Sequence, residues 1–288
     1  MTLNGWLIYR KEDAQKNQSY IQWFIDEAKQ QQINLQLVLR EQLKVGIINN
    51  QRKIMSEQTP VDLPDFAVVR TIEPMLNKWL EDVGIRAFNS SNISFLCNNK
   101  STTYYEISKL QIPMVDTYIY QQQDLSASPP LPYPFIIKSA TGRSGKQVAL
   151  IESELDWQTH GITSDHVIIQ TCDVQLGKDV RVFVIGKEII GAVLRENPND
   201  FRANYTLGGT ARKYVLNQAE TSLINKIVNA FDFDLVGIDF LIGHNGQLLF
   251  NEIEDVVGSR TLSVTSDINL LEKYVSHIKN KLLKKGTK

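Results

Sequence analysis

Three carboxylates near the end of the chain have a spacing that suits a metal ion. The stretch LVGIDFLIGHNGQLLFNEIE, residues 235 to 254, sets two apolar runs on either side of Gly243-His244-Asn245-Gly246. That is the pattern of two antiparallel strands joined by a tight turn. If Ile242 faces Gln247 across the turn, then Asp239 faces Phe250, and Glu252 and Glu254 follow on the same sheet face because alternate strand residues share a side. Ionised carboxylates among Val, Ile, Leu and Phe are expensive to bury unless a cation compensates them. Oxygen-only donors suit a hard divalent ion, magnesium first and manganese as its substitute. A solvated sheet face with scattered acids would use the same residues, but Asp is depleted inside strands.

A second concentration of chemistry is the loop Ser139-Ala140-Thr141-Gly142-Arg143-Ser144-Gly145-Lys146, between PFIIK and QVALI. Glycines let backbone N–H groups approach phosphate oxygens, and Lys138, Arg143 and Lys146 supply charge. The loop lacks the G-x-x-x-x-G-K-[ST] spacing of a P-loop, and strands on both sides make it a flexible hairpin, so an exposed basic hairpin remains open. Order along the chain favours the phosphate reading: a basic loop, then Arg-rich strands, then three carboxylates. Triphosphate, cations and magnesium would meet between the two halves. Arg70 follows the strand Phe66 to Val69, at the end where open α/β sheets bind ligands, although such an arginine can equally solvate a rim. The stretch ENPNDFRANYTLGG, 196 to 209, has no periodic apolar face and reads as a functional loop. His160, His166, His244 and His277 lack any motif context and read as surface or turn residues.

Positioning these groups requires a mixed α/β scaffold. Trp6 to Tyr9, a helical stripe of Tyr20, Trp23, Phe24 and Ala28, and Leu35 to Leu39 make a β-α-β opening. Phe66 to Val69 and the stripe Met75, Leu76, Trp79, Leu80 and Val83, closed by Gly84, complete an α/β layer of ninety-odd residues. A new unit begins near Asn99 and Lys100. SASPPLPYP, 126 to 134, is too short to part independent domains and reads as a rigid connector. Val167 to Gln170, Val180 to Ile185 and Glu188 to Leu194 continue the strands, and Ser222 to Phe231 and Asp267 to Leu283 are helices.

Composition narrows the class further. The chain has 288 residues, 42% of them hydrophobic and 22% charged, and a formal net charge of -1, as in ordinary globular proteins and without the basic excess of a nucleic-acid binder. Cys97 and Cys172 are too few and too far apart for a disulfide framework, which points to a reducing compartment. MTLNGWLIYRKED turns charged after a very short apolar run, so neither a signal peptide nor a membrane span is expected, and a cytoplasmic location follows.

From about Val68 to Lys288 the sequence resembles the ATP-grasp ligases, and among them the RimK-type α-L-glutamate ligases. The resemblance is carried by VVR at 68 to 70, by NK at 99 to 100 with LQIPMVDT, and by PFIIKSATGRSGKQV and IIQ. It continues through GKDVRVFVIG, Arg195 with NDFRAN at 199 to 204, LGG at 207 to 209, and VGIDFL with NEIE. It implies an α/β fold in which two ATP-grasp subdomains, 96 to 172 and 173 to 288, grip ATP behind an amino-terminal α/β domain, 1 to 95, that faces the substrate. The implied activity is ATP-dependent amide or peptide bond formation through an acyl phosphate, with ATP, Mg²⁺ or Mn²⁺, and carboxylate and amine substrates or a peptide. Nucleic acid and membrane are not implied partners, and homo-oligomerisation stays open.

Position by position, the resemblance assigns Lys100 and Lys138 to the nucleotide phosphates and Gly142, Ser144 and Gly145 to the flap over them. Gln170, Thr171 and Cys172 are assigned to adenine, and Asp179 to ribose. Arg195, Arg202 and Asn204 steady the transferred phosphate, while Asp239, Glu252 and Glu254 take the metal positions. Arg70, Gly208, Gly209 and Arg260 lie where the family binds substrates. Departures are Glu254 in place of the usual Asn, Thr171 in place of Glu, Thr206-Leu207 in place of His-Arg before the glycine pair, and Val257 in place of Pro. The competing expectations are a ligase using another nucleophile or a protein acceptor, and a binding protein that uses ATP without catalysis.

Overall fold

The computed structural model describes residues 2–56, 63–142, 145, 147–203 and 208–284. In chain order, the first part comprises Leu3–Tyr9 (β1), Lys11–Lys16 (α1), Gln18–Gln30 (α2), Ile33–Leu39 (β2), Leu43–Ile48 (β3), Gln51–Ser56 (β4), Phe66–Val69 (β5), Pro74–Asp82 (α3) and Arg86–Phe88 (β6). A parallel sheet of order β2-β1-β5-β6 results. Helix α2 buries Ile21, Phe24 and Ala28 against it, as the three- and four-residue spacing demands. Helix α3 departs from the expected stripe. Met75 is 53% exposed, and Asn77 takes a core place because its amide nitrogen donates to the Asn89 carbonyl at 2.9 Å. The β3–β4 hairpin, unforeseen in the sequence, turns at Asn49 and Asn50, whose φ values of 50° and 60° lie in the left-handed region that Asn tolerates.

The rest of the chain builds two antiparallel sheets. Ser91–Cys97 (α4) and Lys100–Lys109 (α5) lead into Thr117–Gln121 (β7), Phe135–Ser139 (β8), Val148–Ile151 (β9), Glu154–Thr159 (α6) and His166–Thr171 (β10), with sheet order β7-β10-β8-β9. Lys178–Ile185 (β11), Glu188–Glu196 (β12), Thr210–Tyr214 (β13), Gln218–Ala230 (α7), Leu235–Ile242 (β14), Leu248–Glu254 (β15), Arg260–Thr265 (α8) and Leu270–Leu283 (α9) follow, with sheet order β13-β12-β11-β14-β15.

Alternation along β11 explains how the larger sheet serves both core and site. Val180, Val182 and Val184 enter one apolar cluster with α4, α5 and α7, whereas Phe183 and Ile185 join α9 and the amino-terminal sheet on the other face. Asp179 and Arg181 share that second face, but lie beyond the part that the apolar cluster covers. No helix among the described residues is long and apolar enough to cross a membrane.

Candidate functional site

The charged end of the larger sheet forms one wall of a cleft. Direct pairing sets Asp179 opposite Arg195, Arg181 opposite Asp239, and Asp239 opposite Glu252. Arg195 donates two hydrogen bonds to Asp179, both of 2.6 Å, and a third to Asp239 at 2.8 Å. Arg181 holds Asp239 through bonds of 2.7 and 2.6 Å and also reaches Glu254 at 2.7 Å. Burial alone would raise the Asp239 carboxyl, yet Arg181 and Arg195 outweigh it and hold its pKa down at about 2. For Asp179 burial wins over Arg195, and its pKa is pushed up to about 6. Gly237 leaves room for Val257, since a Cβ there would lie 2.7 Å from Val257 Cγ2.

The hairpin of β14 and β15 does bring Asp239, Glu252 and Glu254 together: one oxygen from each lies within 4.8 Å of the others. Its register differs from the simple one. Ile242 faces Leu248 and Phe240 faces Phe250, but Asp239 faces Glu252, so Asn251 is an extra residue on β15. Phe250 therefore turns into the core instead of sharing the carboxylate face. The oxygen-only donor set fits a hard divalent cation, and two of the three acids are only half-buried, which leaves a route for an ion.

The smaller sheet supplies the facing wall. Ile136, Lys138 and Gln170 line the cleft, while Phe135, Ile137, Val167 and Ile169 turn away to pack around Trp157. Lys138 is 7% exposed and donates to Asn251 Oδ1 at 3.1 Å. Burial, opposed by Glu252 and reinforced by Lys100, pushes its pKa down to about 7. Asn99 caps α5 by accepting from Thr102 N–H, which sets Lys100 as the first helical residue. Lys100 Nζ then donates to the Gly142 carbonyl at 2.6 Å and lies 3.3 Å from Glu252. Arg202, gripped by Asp200 through bonds of 2.9 and 2.6 Å, reaches across to the Gly145 carbonyl at 2.6 Å.

The cleft encloses about 940 Å³ of space open to solvent and is lined also by Gly142, Gly145, Thr171, Cys172, Asp179, Arg195 and Arg202. A second opening of about 1350 Å³ carries Arg70 and Arg260 together with Tyr20, Trp23 and Glu254. Gly145, Arg195 and Glu252 border both, so Glu252, with Asp239 and Glu254 beside it, stands where the two spaces meet. Arg70 is already engaged: it donates to Tyr9 Oη at 3.3 Å and to the Val257 carbonyl at 3.0 Å, and its guanidinium lies 5.2 Å from the Tyr20 ring centre. Gly208 and Gly209 precede β13 and line neither space. Ser144 and Asn204 lie outside the described residues. Arg181 and Asn251 were not singled out in the sequence. Arg181 could have been, because Asp179 and Arg181 are two apart within a Val-rich strand, as Glu252 and Glu254 are in theirs.

The family model of the RimK-like ATP-grasp domain matches residues 97–278. N-acetylaspartylglutamate synthase A of Homo sapiens is 28% identical over 248 residues, covering 80% of this chain and 63% of that protein, so the chain spans less than two thirds of that relative. Glutamate--LysW ligase ArgX of Sulfurisphaera tokodaii is 26% identical over 272 residues, covering 88% of this chain and 96% of that one. The D-alanyl-alanine synthetase A of Vibrio cholerae superposes with a TM-score of 0.73 over 98% of this chain and 99% of its own, at 18% identity, a likeness of fold. Two facing antiparallel sheets behind a parallel one, together with a matched stretch reaching from α4 to α9, place this chain in the RimK-like ATP-grasp family.

Proposed function

We propose that the chain is an ADP-forming carbon–nitrogen ligase that joins a carboxylate to an amine at the expense of ATP. The supporting observation is that lysines of one wall and carboxylates of the other border one cleft, with Lys100 spanning them at 3.3 Å from Glu252. A carboxylate oxygen attacks the γ-phosphorus, the bond to the β-γ bridging oxygen breaks, and ADP leaves. The amine then attacks the acyl carbon, phosphate departs, and the amine proton is lost. Such chemistry needs charge neutralisation and exclusion of water rather than a protein nucleophile.

In this reading Lys138 and Lys100 hold phosphate oxygens under the flap of Gly142, Ser144 and Gly145. Gln170, Thr171 and Cys172 border the base, and Asp179 keeps lone pairs for ribose hydroxyls beside its bonds from Arg195. Arg195, Arg202 and Asn204 steady the transferred phosphate. Asp239, Glu252 and Glu254 would hold Mg²⁺, which when bound supplies positive charge to the phosphates. Arg260, Arg70, Gly208 and Gly209 serve the substrate end. A division into three functional units, 1–95, 96–172 and 173–288, is supported by one sheet of four or five strands in each. Both relatives carry glutamate in their names, which supports an amino acid or peptide substrate, and the unpaired Cys97 and Cys172 support a reducing, cytoplasmic setting.

The test is ADP release from Mg·ATP with amino acids and short peptides offered singly and in pairs. Release that needs both a carboxylate and an amine is expected. A protein that only binds ATP releases no ADP with any pair, and that result overturns the reading.

A further inference from the structure

We propose that Asn251 is a positioning residue for Lys138, an inference that rests on the reading of Lys138 as a phosphate ligand. In an unbroken strand Asn251 and Ile253 would share a face, and Ile253 is a core residue. The change of register between Phe240–Phe250 and Asp239–Glu252 makes Asn251 the additional residue of a bulge, a device that re-aims side chains beside functional sites. As a result Asn251 and its neighbour Glu252 both border the nucleotide cleft.

There, Asn251 Oδ1 accepts from Lys138 Nζ at 3.1 Å, across from one sheet to the other. The same ammonium lies 5.2 Å from the Tyr104 ring centre and feels the charges of Glu252 and Lys100. Lys100 differs in that its ammonium lies within 3.3 Å of Glu252. A lysine stem has four rotatable bonds, and a partner is needed to aim it. A carboxylate at 251 would aim it but would neutralise the charge and compete with phosphate. An apolar residue would leave it unheld. An amide oxygen aims the ammonium and leaves its positive charge available, so Asn251 sets how readily Lys138 meets an incoming nucleotide.

The experiment is a double-mutant cycle on the full chain, with ATP binding followed by calorimetry at saturating Mg²⁺ for wild type, Asn251→Leu, Lys138→Met and the double variant. Asn251→Leu should weaken ATP about tenfold, the worth of one hydrogen bond to a charged group, and raise KM for ATP without lowering kcat. In the Lys138→Met background the same change should have no further effect. Asn251→Ser, which removes the amide with less bulk, should repeat the result and guards against a folding defect in Asn251→Leu. Wild-type ATP affinity in both Asn251 variants overturns the proposal. So does an equal loss in both backgrounds, or a shift in Mg²⁺ half-saturation in place of ATP affinity, which would assign Asn251 to the metal. Wild-type affinity in Lys138→Met is a separate outcome: it removes Lys138 from the phosphate site and the proposal falls with it.

Discussion

Arg181 and Asp239 face each other across β11 and β14 and share two hydrogen bonds of 2.7 and 2.6 Å, while the same guanidinium reaches Glu254 at 2.7 Å. One arginine thus holds two of three clustered acids together, in the place where a metal ion would also draw them. Arg181→Met should leave Asp239 with Arg195 alone and Glu254 unmatched, at a cost on the order of 3–5 kcal/mol, because a buried charge has lost its partner. Mg²⁺ should return part of that loss, raising Tm more in the variant than in the wild type. Thermal unfolding with and without MgCl₂ measures it, and an equal Mg²⁺ response in both would count against a metal at the trio.

As the proposed phosphate ligand, Lys138 should give opposite pH dependences to stability and to ATP binding. Its folded pKa of about 7 lies below the ordinary lysine value, so between about pH 7 and 10 the unfolded chain binds more protons and stability should rise with pH through this window. A bound phosphate favours the charged form, so the complex keeps a proton that the free protein has released. ATP affinity should therefore fall as pH rises above about 7 and be insensitive to this group below it. Lys138→Ala should lose about 1.5–3 kcal/mol of ATP binding together with the alkaline fall. Calorimetry at several pH values checks both, and an unchanged alkaline fall in Lys138→Ala would assign the effect to another group.

The elements around the site were legible because their burial is periodic. The strands over 66 to 69, 135 to 138, 148 to 151 and 180 to 185 coincide with alternating or apolar runs. The carboxylate trio was legible for the same reason, since Glu252 and Glu254 are two apart. The bulge at Asn251 was not, because one added residue has no compositional mark; the strand register reveals it, with Phe250 set against Phe240 at 6.2 Å between ring centres. The β3–β4 hairpin escaped notice because Ile47 and Ile48 are exposed and its two faces differ little in polarity. His277 has no motif, yet it bonds the buried Asp234 at 2.9 Å, a partner 43 residues away that no local pattern announces.

Arg70 and Arg260 should behave differently despite bordering the same opening. Arg70 fastens Tyr9 and the Val257 carbonyl, so Arg70→Ala should reduce stability by about 1–3 kcal/mol along with any effect on substrate. Arg260 is exposed at the start of α8 and should act on substrate alone. Arg260→Ala is expected to raise KM for the carboxylate substrate with Tm unchanged, since a guanidinium fork suits a carboxylate. Steady-state kinetics beside thermal unfolding separates the two, and wild-type kcat/KM in both variants would take the substrate carboxylate elsewhere.

Glu254 is one of the positions at which this chain departs from the pattern that the resemblance implies. It ends β15 with its side chain turned back onto Arg181 rather than out to water, and one of its oxygens lies with those of Asp239 and Glu252. As a ligand it adds a negative charge that an asparagine would not, so Glu254→Gln should weaken Mg²⁺ and slow ADP formation. Stability should change by about 1 kcal/mol or less, because Arg181 keeps Asp239 and the Glu254 carboxylate is only part-buried. Glu254→Asn still offers an amide oxygen to a hard cation and should retain more activity than Glu254→Ala, which offers none. Titrating Mg²⁺ against ADP formation orders the three variants, with half-saturation expected to rise from wild type through Gln and Asn to Ala. Identical metal dependence in all of them would leave Asp239 and Glu252 as the ion's protein ligands and reduce Glu254 to a partner of Arg181.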